Sequence, residues 1–258
     1  MKQERMNKQI TFSPTGGTKK VADAISMGIC ESIDYVELCN PVSKLTNITL
    51  GEDDFAIIAM PVYGGRIPAI AIERLKSQVK ANNAKCAVVA VYGNRAYDDA
   101  LLEMYNTCKE MGFRIIAAIG AVAEHSIIRK YGAGRPDADD EAELKSFGAK
   151  IKEAIEQGKA IEESMIPGNF PYKKPMAGPN PTADKSCSGC GKCAAECPVG
   201  AIPADNLRKV NKDLCISCMR CVSVCPQEAR RIGMLMHGAI ALAIKKGCSE
   251  RKRNELFI

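Results

Sequence analysis

Tryptophan is absent from the 258 residues, histidine occurs twice, and aromatic residues make up only 5%. So few flat rings exclude an aromatic-rich sandwich and argue against a stacking platform for single-stranded nucleic acid. A run of about 18 apolar residues is also missing, so no transmembrane segment is expected. The nearest approach, Gly233 to Ile244, is too short and contains His237. The amino terminus, Met1 to Phe12, is polar and lacks the apolar centre of a secretory signal. The formal net charge is only +6, and it shrinks once thiolates that hold metal are counted. No nucleic-acid partner is expected.

Cysteine, by contrast, is plentiful at 13 residues. Eight fall in two regular groups between Cys187 and Cys225. The other five, Cys30, Cys39, Cys86, Cys108 and Cys248, sit at no ligand spacing. Without a secretory signal, this distribution fits a reducing cytoplasm rather than a disulfide scaffold. Cys187, Cys190, Cys193 and Cys197 are spaced C-x2-C-x2-C-x3-C and followed by Pro198; Cys215, Cys218, Cys221 and Cys225 repeat the spacing before Pro226. Three thiolates so spaced can wrap one face of an iron–sulfur cube while the fourth completes the neighbouring cube. Cluster A is assigned to Cys187, Cys190, Cys193 and Cys225, and cluster B to Cys215, Cys218, Cys221 and Cys197. Zinc would leave the third cysteine of each run surplus. Pro198-Val199-Gly200-Ala201-Ile202 answers Pro226-Gln227-Glu228-Ala229-Arg230, which implies a pseudo-twofold unit whose halves are too small to bury a core alone. Two 4Fe-4S clusters would then supply much of its folding energy.

The first part of the chain follows another rule. Asp54 to Met60, Lys85 to Tyr92 and Phe113 to Val122 are near-continuous apolar runs that suit strands buried on both faces of a parallel sheet. Lys8 to Phe12 is a weaker first strand, and Ser32 to Leu38 an edge strand. Helical periodicity covers Gly17 to Gly28, Pro68 to Lys80, Asp98 to Met111 and Asp139 to Glu156. This alternation predicts an α/β fold with a doubly wound five-stranded parallel sheet over residues 1–158. A Pro/Gly-rich linker follows over 159–182, packing partly on a surface through Phe170 and Tyr172. A small α+β two-cluster domain is expected over 183–234, then a helix and basic tail over 235–258. The seven basic and two acidic residues from Ala229 to Ile258 read mainly as a solvated face.

Three loops at strand carboxyl ends are candidate ligand contacts, because open α/β sheets bind there. Ser13, Pro14, Thr15, Gly16, Gly17 and Thr18 open the first helix with hydroxyls and glycines able to cradle a phosphate. Neither a Walker A ending nor a G-x-G-x-x-G fingerprint is present. Pro61, Val62, Tyr63, Gly64 and Gly65 follow the third strand, and Tyr92, Gly93, Asn94, Arg95, Tyr97 and Asp98 follow the fourth. Paired glycines and three tyrosines suit a planar, phosphorylated ligand.

These loops resemble the flavodoxin family, and residues 183–234 resemble a bacterial two-cluster ferredoxin. The flavodoxin resemblance implies FMN, its phosphate held by Ser13, Thr15, Gly16 and Thr18. It implies a carbonyl of Tyr63-Gly64-Gly65 facing the reducible edge of the ring, with Tyr63 or Tyr97 stacking and Asn94 at the pyrimidine edge. Together the halves resemble the flavodoxin–ferredoxin fusion proteins of anaerobic bacteria and archaea, the EFR1-family ferrodoxins. That resemblance implies electron transfer between FMN and the two clusters, serving a redox protein partner. The alternative is a flavin oxidoreductase that reduces a quinone or nitro compound, with His125 as the residue to watch.

Overall fold

The computed structural model describes residues 6–40 and 47–258; the first part of the polar amino terminus lies outside them. In chain order the elements are β1 (Asn7–Thr11), α1 (Gly17–Ser26), β2 (Asp34–Glu37), β3 (Ile48–Leu50), β4 (Phe55–Pro61), α2 (Ala69–Gln78), β5 (Val79–Ala81), β6 (Lys85–Tyr92), α3 (Ala100–Glu110), β7 (Arg114–Val122) and α4 (Ala138–Glu156). Then come β8 (Thr182–Ala183), α5 (Lys192–Ala195), α6 (Arg220–Ser223), β9 (Arg230–Arg231), α7 (Met234–Cys248) and β10 (Glu255–Phe257). No described helix is long and apolar enough to cross a membrane.

Five strands pair in parallel, in the order β2-β1-β4-β6-β7. Numbered as core strands this is 2-1-3-4-5, the flavodoxin-like winding, with its switch point beside β1. The near-continuous apolar runs become β4, β6 and β7, buried along almost their whole length. Alternate residues serve two cores. Ile58, Met60, Val88 and Ala90 face a core with Leu75 of α2 and Leu101 and Met104 of α3. Ile57, Ala59, Val89 and Ile119 face another with Val21 and Ile25 of α1 and Leu144 and Ile151 of α4. Gly28 and Gly148 let α1 and α4 meet closely, since a Cβ on either would collide with the other helix's backbone.

The sheet departs from the five parallel strands expected: it has six and is mixed. Glu255–Phe257 pairs antiparallel with β7. Three residues behind a basic run carry no strand pattern of their own; the strand forms because β7 would otherwise present an open edge. Asn254 locks it, its Oδ1 accepting from the Val122 amide at 2.9 Å and its Nδ2 donating to Asp140 at 3.1 Å and Glu143 at 2.7 Å. Arg251 pairs with Asp137 at 2.7 Å. The tail read as a solvated face is thus in part a clamp.

The clamp centres on a buried ion pair, in which Arg135 Nε donates to Asp140 Oδ2 at 2.7 Å and Nη2 to Oδ1. Burial alone would push Asp140 up; the Arg135 guanidinium, the Asp137 amide and Asn254 outweigh it and hold the carboxyl below its usual range. Stability from this shift is fully present above the ordinary carboxylate pKa of about 3.9 and is lost as pH falls through the depressed folded value. Asp140→Asn strands a buried guanidinium, and a loss of about 3 kcal/mol is expected. Urea unfolding at neutral pH should show it, with a smaller difference between the proteins in acid. An unchanged midpoint would remove this pair from the clamp's energetics.

The segment between α4 and β8 is an extended strap on the sheet domain. Asp99 accepts the amides of Asn169 at 2.9 Å and Lys173 at 2.7 Å. The guanidinium of Arg66 lies 4.6 Å from the centroid of the Tyr172 ring. Tyr172 packs as expected, whereas Phe170 stays exposed.

Candidate functional site

Residues 13–18 leave β1 at its carboxyl end and open α1. Gly16 caps the helix from φ +89° and brings no side chain of its own to the turn. Ser13 Oγ accepts the Lys19 amide at 2.9 Å, and the Ser13 amide donates to Glu37 at 3.1 Å. Ser13 is therefore committed to shaping the loop. The amides of Gly17 and Thr18 have no acceptor among the described residues, at the end of a helix whose dipole favours an anion. A cavity of about 40 Å³ opens here between Pro14, Thr15, Gly17 and Thr18 and the facing Pro61, Val62, Tyr92 and Gly93.

The hollow continues, through shared walls at Val62, Tyr63, Tyr92, Gly93 and Ser126, into a larger cavity of about 260 Å³. Tyr63 and Arg66 exchange backbone hydrogen bonds of 2.9 and 3.2 Å. Gly64 and Gly65 between them have φ of +61° and +88°. That is the two-residue turn with both central residues at positive φ, which glycine alone adopts without strain. A side chain on Gly65 would also run into Asp98, and one on Gly64 into the backbone of Met176. The donor set, unpaired helix amides joined to a largely apolar slot, fits a flavin mononucleotide.

Of the expected loop residues, Val62, Tyr63, Gly64, Gly65, Tyr92, Gly93 and Arg95 line the larger cavity. Asn94 does not. It is buried, donates to the carbonyls of Cys248 at 3.1 Å and Glu250 at 2.8 Å, and accepts from the Lys252 amide at 3.0 Å. Its amide holds the carboxyl-terminal segment, so it is not free for a pyrimidine edge. Tyr97 is likewise turned away, edge-on to Tyr92 at 5.4 Å with its hydroxyl on Glu255 at 2.6 Å. Asp98 pairs with Arg95 and, at 3.3 Å, with Lys173. His125 lines the cavity, and its Nδ1 accepts the amides of Ile127 at 3.1 Å and Ile128 at 3.2 Å. Burial pushes its pKa down, so the ring is neutral at pH 7 and acts as a loop lock.

The remaining walls come from far along the chain: Met176 to Pro179 of the strap, Ile216 and Ser217, and Ile240, Ala243 and Ile244 of α7. Sequence pattern gives no sign of these contacts, because nothing local pairs segments more than 100 residues apart.

The eight grouped cysteines surround two further hollows. Cys187, Cys190, Cys193 and Cys225 ring one of about 20 Å³. Cys197, Cys215, Cys218 and Cys221 ring another of about 20 Å³. The fourth cysteine of each run therefore sits with the other run's first three. Cys190 is exposed, whereas Cys218 and Cys221 are buried. Burial pushes the thiols of Cys218 and Cys221 up to about 12. At Cys225 burial also raises the pKa, but the amides of Gln227, Arg230 and Ala229 and the Arg230 charge together bring it below the ordinary thiol value. Among the described residues no three His, Cys, Asp or Glu side chains converge to hold a single metal ion; a cube spaces its thiolates more widely than one tetrahedral zinc does.

The cysteine-rich unit is docked on the strand ends. Arg220 of α6 donates to Glu196 at 3.0 Å and to the carbonyl of Pro14, in the loop between β1 and α1, at 3.2 Å. Arg74 of α2 is buried and donates to the carbonyls of Leu38 and Pro198. Ile216 and Ser217, which wall the larger cavity, lie between Cys215 and Cys218. Tyr63 faces the same junction; burial first, and then nearby Cys218 and Cys39, push its phenol well above its ordinary value.

This geometry defines a flavodoxin-like α/β domain joined to a small iron–sulfur binding region. Residues 184–230 match the family described as a 4Fe-4S dicluster domain. A stretch of 44 residues is 46% identical to a component of the ion-translocating oxidoreductase complex of Methanosarcina acetivorans, covering 17% of either chain. Another of 53 residues is 43% identical to the NrfC homolog of Haemophilus influenzae, covering 19% of this chain and 24% of that one. The chain thus spans less than a quarter of the length of these curated relatives. Among solved structures, a flavodoxin from Streptococcus pneumonia aligns with 58% of this chain and 99% of its own, at 19% identity and a TM-score of 0.42. A WrbA-like flavodoxin from Agrobacterium tumefaciens aligns with 60% of this chain and 100% of its own, at 14% identity and a TM-score of 0.41.

Proposed function

We propose that the chain is an electron-transfer protein that carries FMN in the hollow at the sheet's carboxyl ends and a 4Fe-4S cluster in each cysteine ring. FMN supplies exchange of one or two electrons and each cluster of one, so the assembly converts between the two kinds of traffic. Thr15, Gly17 and Thr18 bind the phosphate; Val62, Tyr63, Tyr92 and Gly93 bound the ring; Met176 to Pro179 and α7 keep water from it. Cys215, Cys218, Cys221 and Cys197 hold cluster B, and Cys187, Cys190, Cys193 and Cys225 hold cluster A beyond it, towards solvent. The redox partner is then met at the exposed Cys190 side.

One observation carries this reading: the two residues between Cys215 and Cys218 are themselves a wall of the flavin cavity. A relay needs its centres adjacent, and here a single loop belongs to both sites. The test is anaerobic reconstitution with metal and flavin analysis, followed by redox titration under optical and paramagnetic-resonance detection. About eight irons and one FMN per chain are expected. Zinc in the rings, far fewer irons, or failure to take up FMN would end the proposal.

A further inference from the structure

Helix α7 is apolar on both its sides, yet the rest of the chain covers only one of them. Its inward side is committed to the fold. Ala241 and Cys248 are buried, the Tyr131 hydroxyl donates to the Ala241 carbonyl at 2.8 Å, and Ile240 and Ile244 line the larger cavity. The outward side carries Leu235, Gly238, Ala239 and Leu242, all exposed and spaced i, i+3, i+4 and i+7 on one face. Every residue from Gly233 to Ala239 is exposed, so the first half of the helix stands clear of its neighbours. Met234 and Leu235, at 88% and 92%, are the most exposed large apolar side chains among the described residues; Met236 and Leu242 stand at 55% and 74%. A helix apolar all round is ordinarily covered all round.

Charge indicates the cover. No acidic residue occurs from Ala229 to Ser249. Lys245 and Lys246 end α7, Lys246 in line with the Leu235 and Leu242 stripe and Lys245 beside it. Lys130 adds a third cation, 5.2 Å from the ring of the same Tyr131 that holds the helix. None of these lysines has a carboxylate partner among the described residues. Glu250, the nearest acid in sequence, lies past the helix end. A second copy of α7 would bring the same lysines and no carboxylate to meet them. An anionic bilayer meets both features: its acyl chains take the leucines and methionines, and its phosphates the ammonium groups.

We infer that α7 is a membrane-surface anchor. Met234, Leu235, Met236 and Leu242 lie at the boundary between headgroups and acyl chains of an anionic bilayer, and Lys130, Lys245 and Lys246 lie on its phosphates. The helix rests on the surface without crossing it, having 15 residues where a span takes about 20. Because Ile240 and Ile244 wall the larger cavity from the other side of α7, attachment sets that cavity close to the lipid. The inference is independent of which groups the cavity and the cysteine rings hold.

Vesicle sedimentation of the reconstituted full-length protein tests it, with phosphatidylcholine alone against an equimolar mixture of phosphatidylcholine and phosphatidylglycerol. Binding to the mixed vesicles should be at least tenfold the stronger and should weaken as salt rises. Lys245→Gln with Lys246→Gln should cost roughly thirtyfold in that affinity, about fivefold for each lysine. Leu235→Gln with Leu242→Gln should cost at least tenfold. All four side chains are exposed, so Tm should not move in either variant. The chain has no tryptophan, so Met236→Trp gives a single reporter, whose emission should shift to the blue on the mixed vesicles. Equal binding to both vesicle types, binding to neither, or an affinity that the leucine variant leaves unchanged overturns the inference. Unshifted Met236→Trp emission in vesicle-bound protein does so too. A lipid-free dimer, seen by light scattering and dissociated by the leucine substitutions, also overturns it, since a second copy would then be the cover.

Discussion

Thr15→Asp is expected to weaken FMN binding by roughly a thousandfold while leaving the iron content and the fold unchanged. Thr15 is exposed at the lip of the smaller cavity, so the new carboxylate needs no desolvation. A negative charge beside a helix amino terminus does not disturb the helix; it favours it. What it opposes is a second anion in the same place. At about 4 Å and an effective dielectric near 20, two like charges repel by roughly 4 kcal/mol, close to three orders of magnitude in Kd. Thr15→Val, which removes a hydroxyl without adding charge, should cost far less, on the order of 1 kcal/mol. Titration by quenching of flavin fluorescence reads both variants. Equal affinity for wild type and Thr15→Asp would move the phosphate elsewhere and sever this loop from the ligand.

Removing the iron is expected to unfold residues 183–232 while the six-stranded sheet stays intact. Within that stretch the helices α5 and α6 have four residues each, and the strands β8 and β9 two each. Apart from cysteines, its buried apolar residues are Pro198, Ala201, Ile202, Met219 and Ala229. So small a core cannot offset the conformational entropy of some fifty ordered residues, and metal ligation must supply the difference. Limited proteolysis of metal-free protein should cut near Lys192, Lys212 and Arg220 at least a hundredfold faster than in loaded protein, with a fragment through α4 surviving. Because Ile216 and Ser217 wall the larger cavity, where FMN is proposed to bind, FMN affinity should fall about tenfold in the same sample. A metal-free protein that resists protease throughout this stretch would show that the chain holds it without clusters.

Much of the molecule is legible one segment at a time. β4, β6 and β7 follow from runs such as Lys85 to Tyr92, because a strand buried on both faces must be apolar at every position. Asp137 and Asp140 close a capping box that starts the helix at Ala138, one residue ahead of the start read at Asp139. The cysteine spacing and the loops at residues 13–18 and 61–65 are local as well, since their chemistry needs neighbours in sequence. Asn94 and Tyr97 misled for the opposite reason. Each stands in a ligand-type loop, yet each is taken by residues more than 150 positions later, through Cys248 and Glu250 for one and Glu255 for the other.

The amino-acid order alone determined the alternation of strands and helices, the grouping of eight cysteines into two runs and the glycine-bearing turns, all of which are settled by steric and hydrophobic rules acting over a few residues. Tertiary structure alone decided that the carboxyl-terminal tail adds an antiparallel strand, that the loop between Cys215 and Cys218 walls the larger cavity at the strand ends, and that Arg230 lies buried on backbone carbonyls of Pro181, Leu207 and Lys209. Those outcomes depend on which distant surfaces meet. Burial, charge pairing and open hydrogen-bonding edges exert their force only once the chain has brought them within reach.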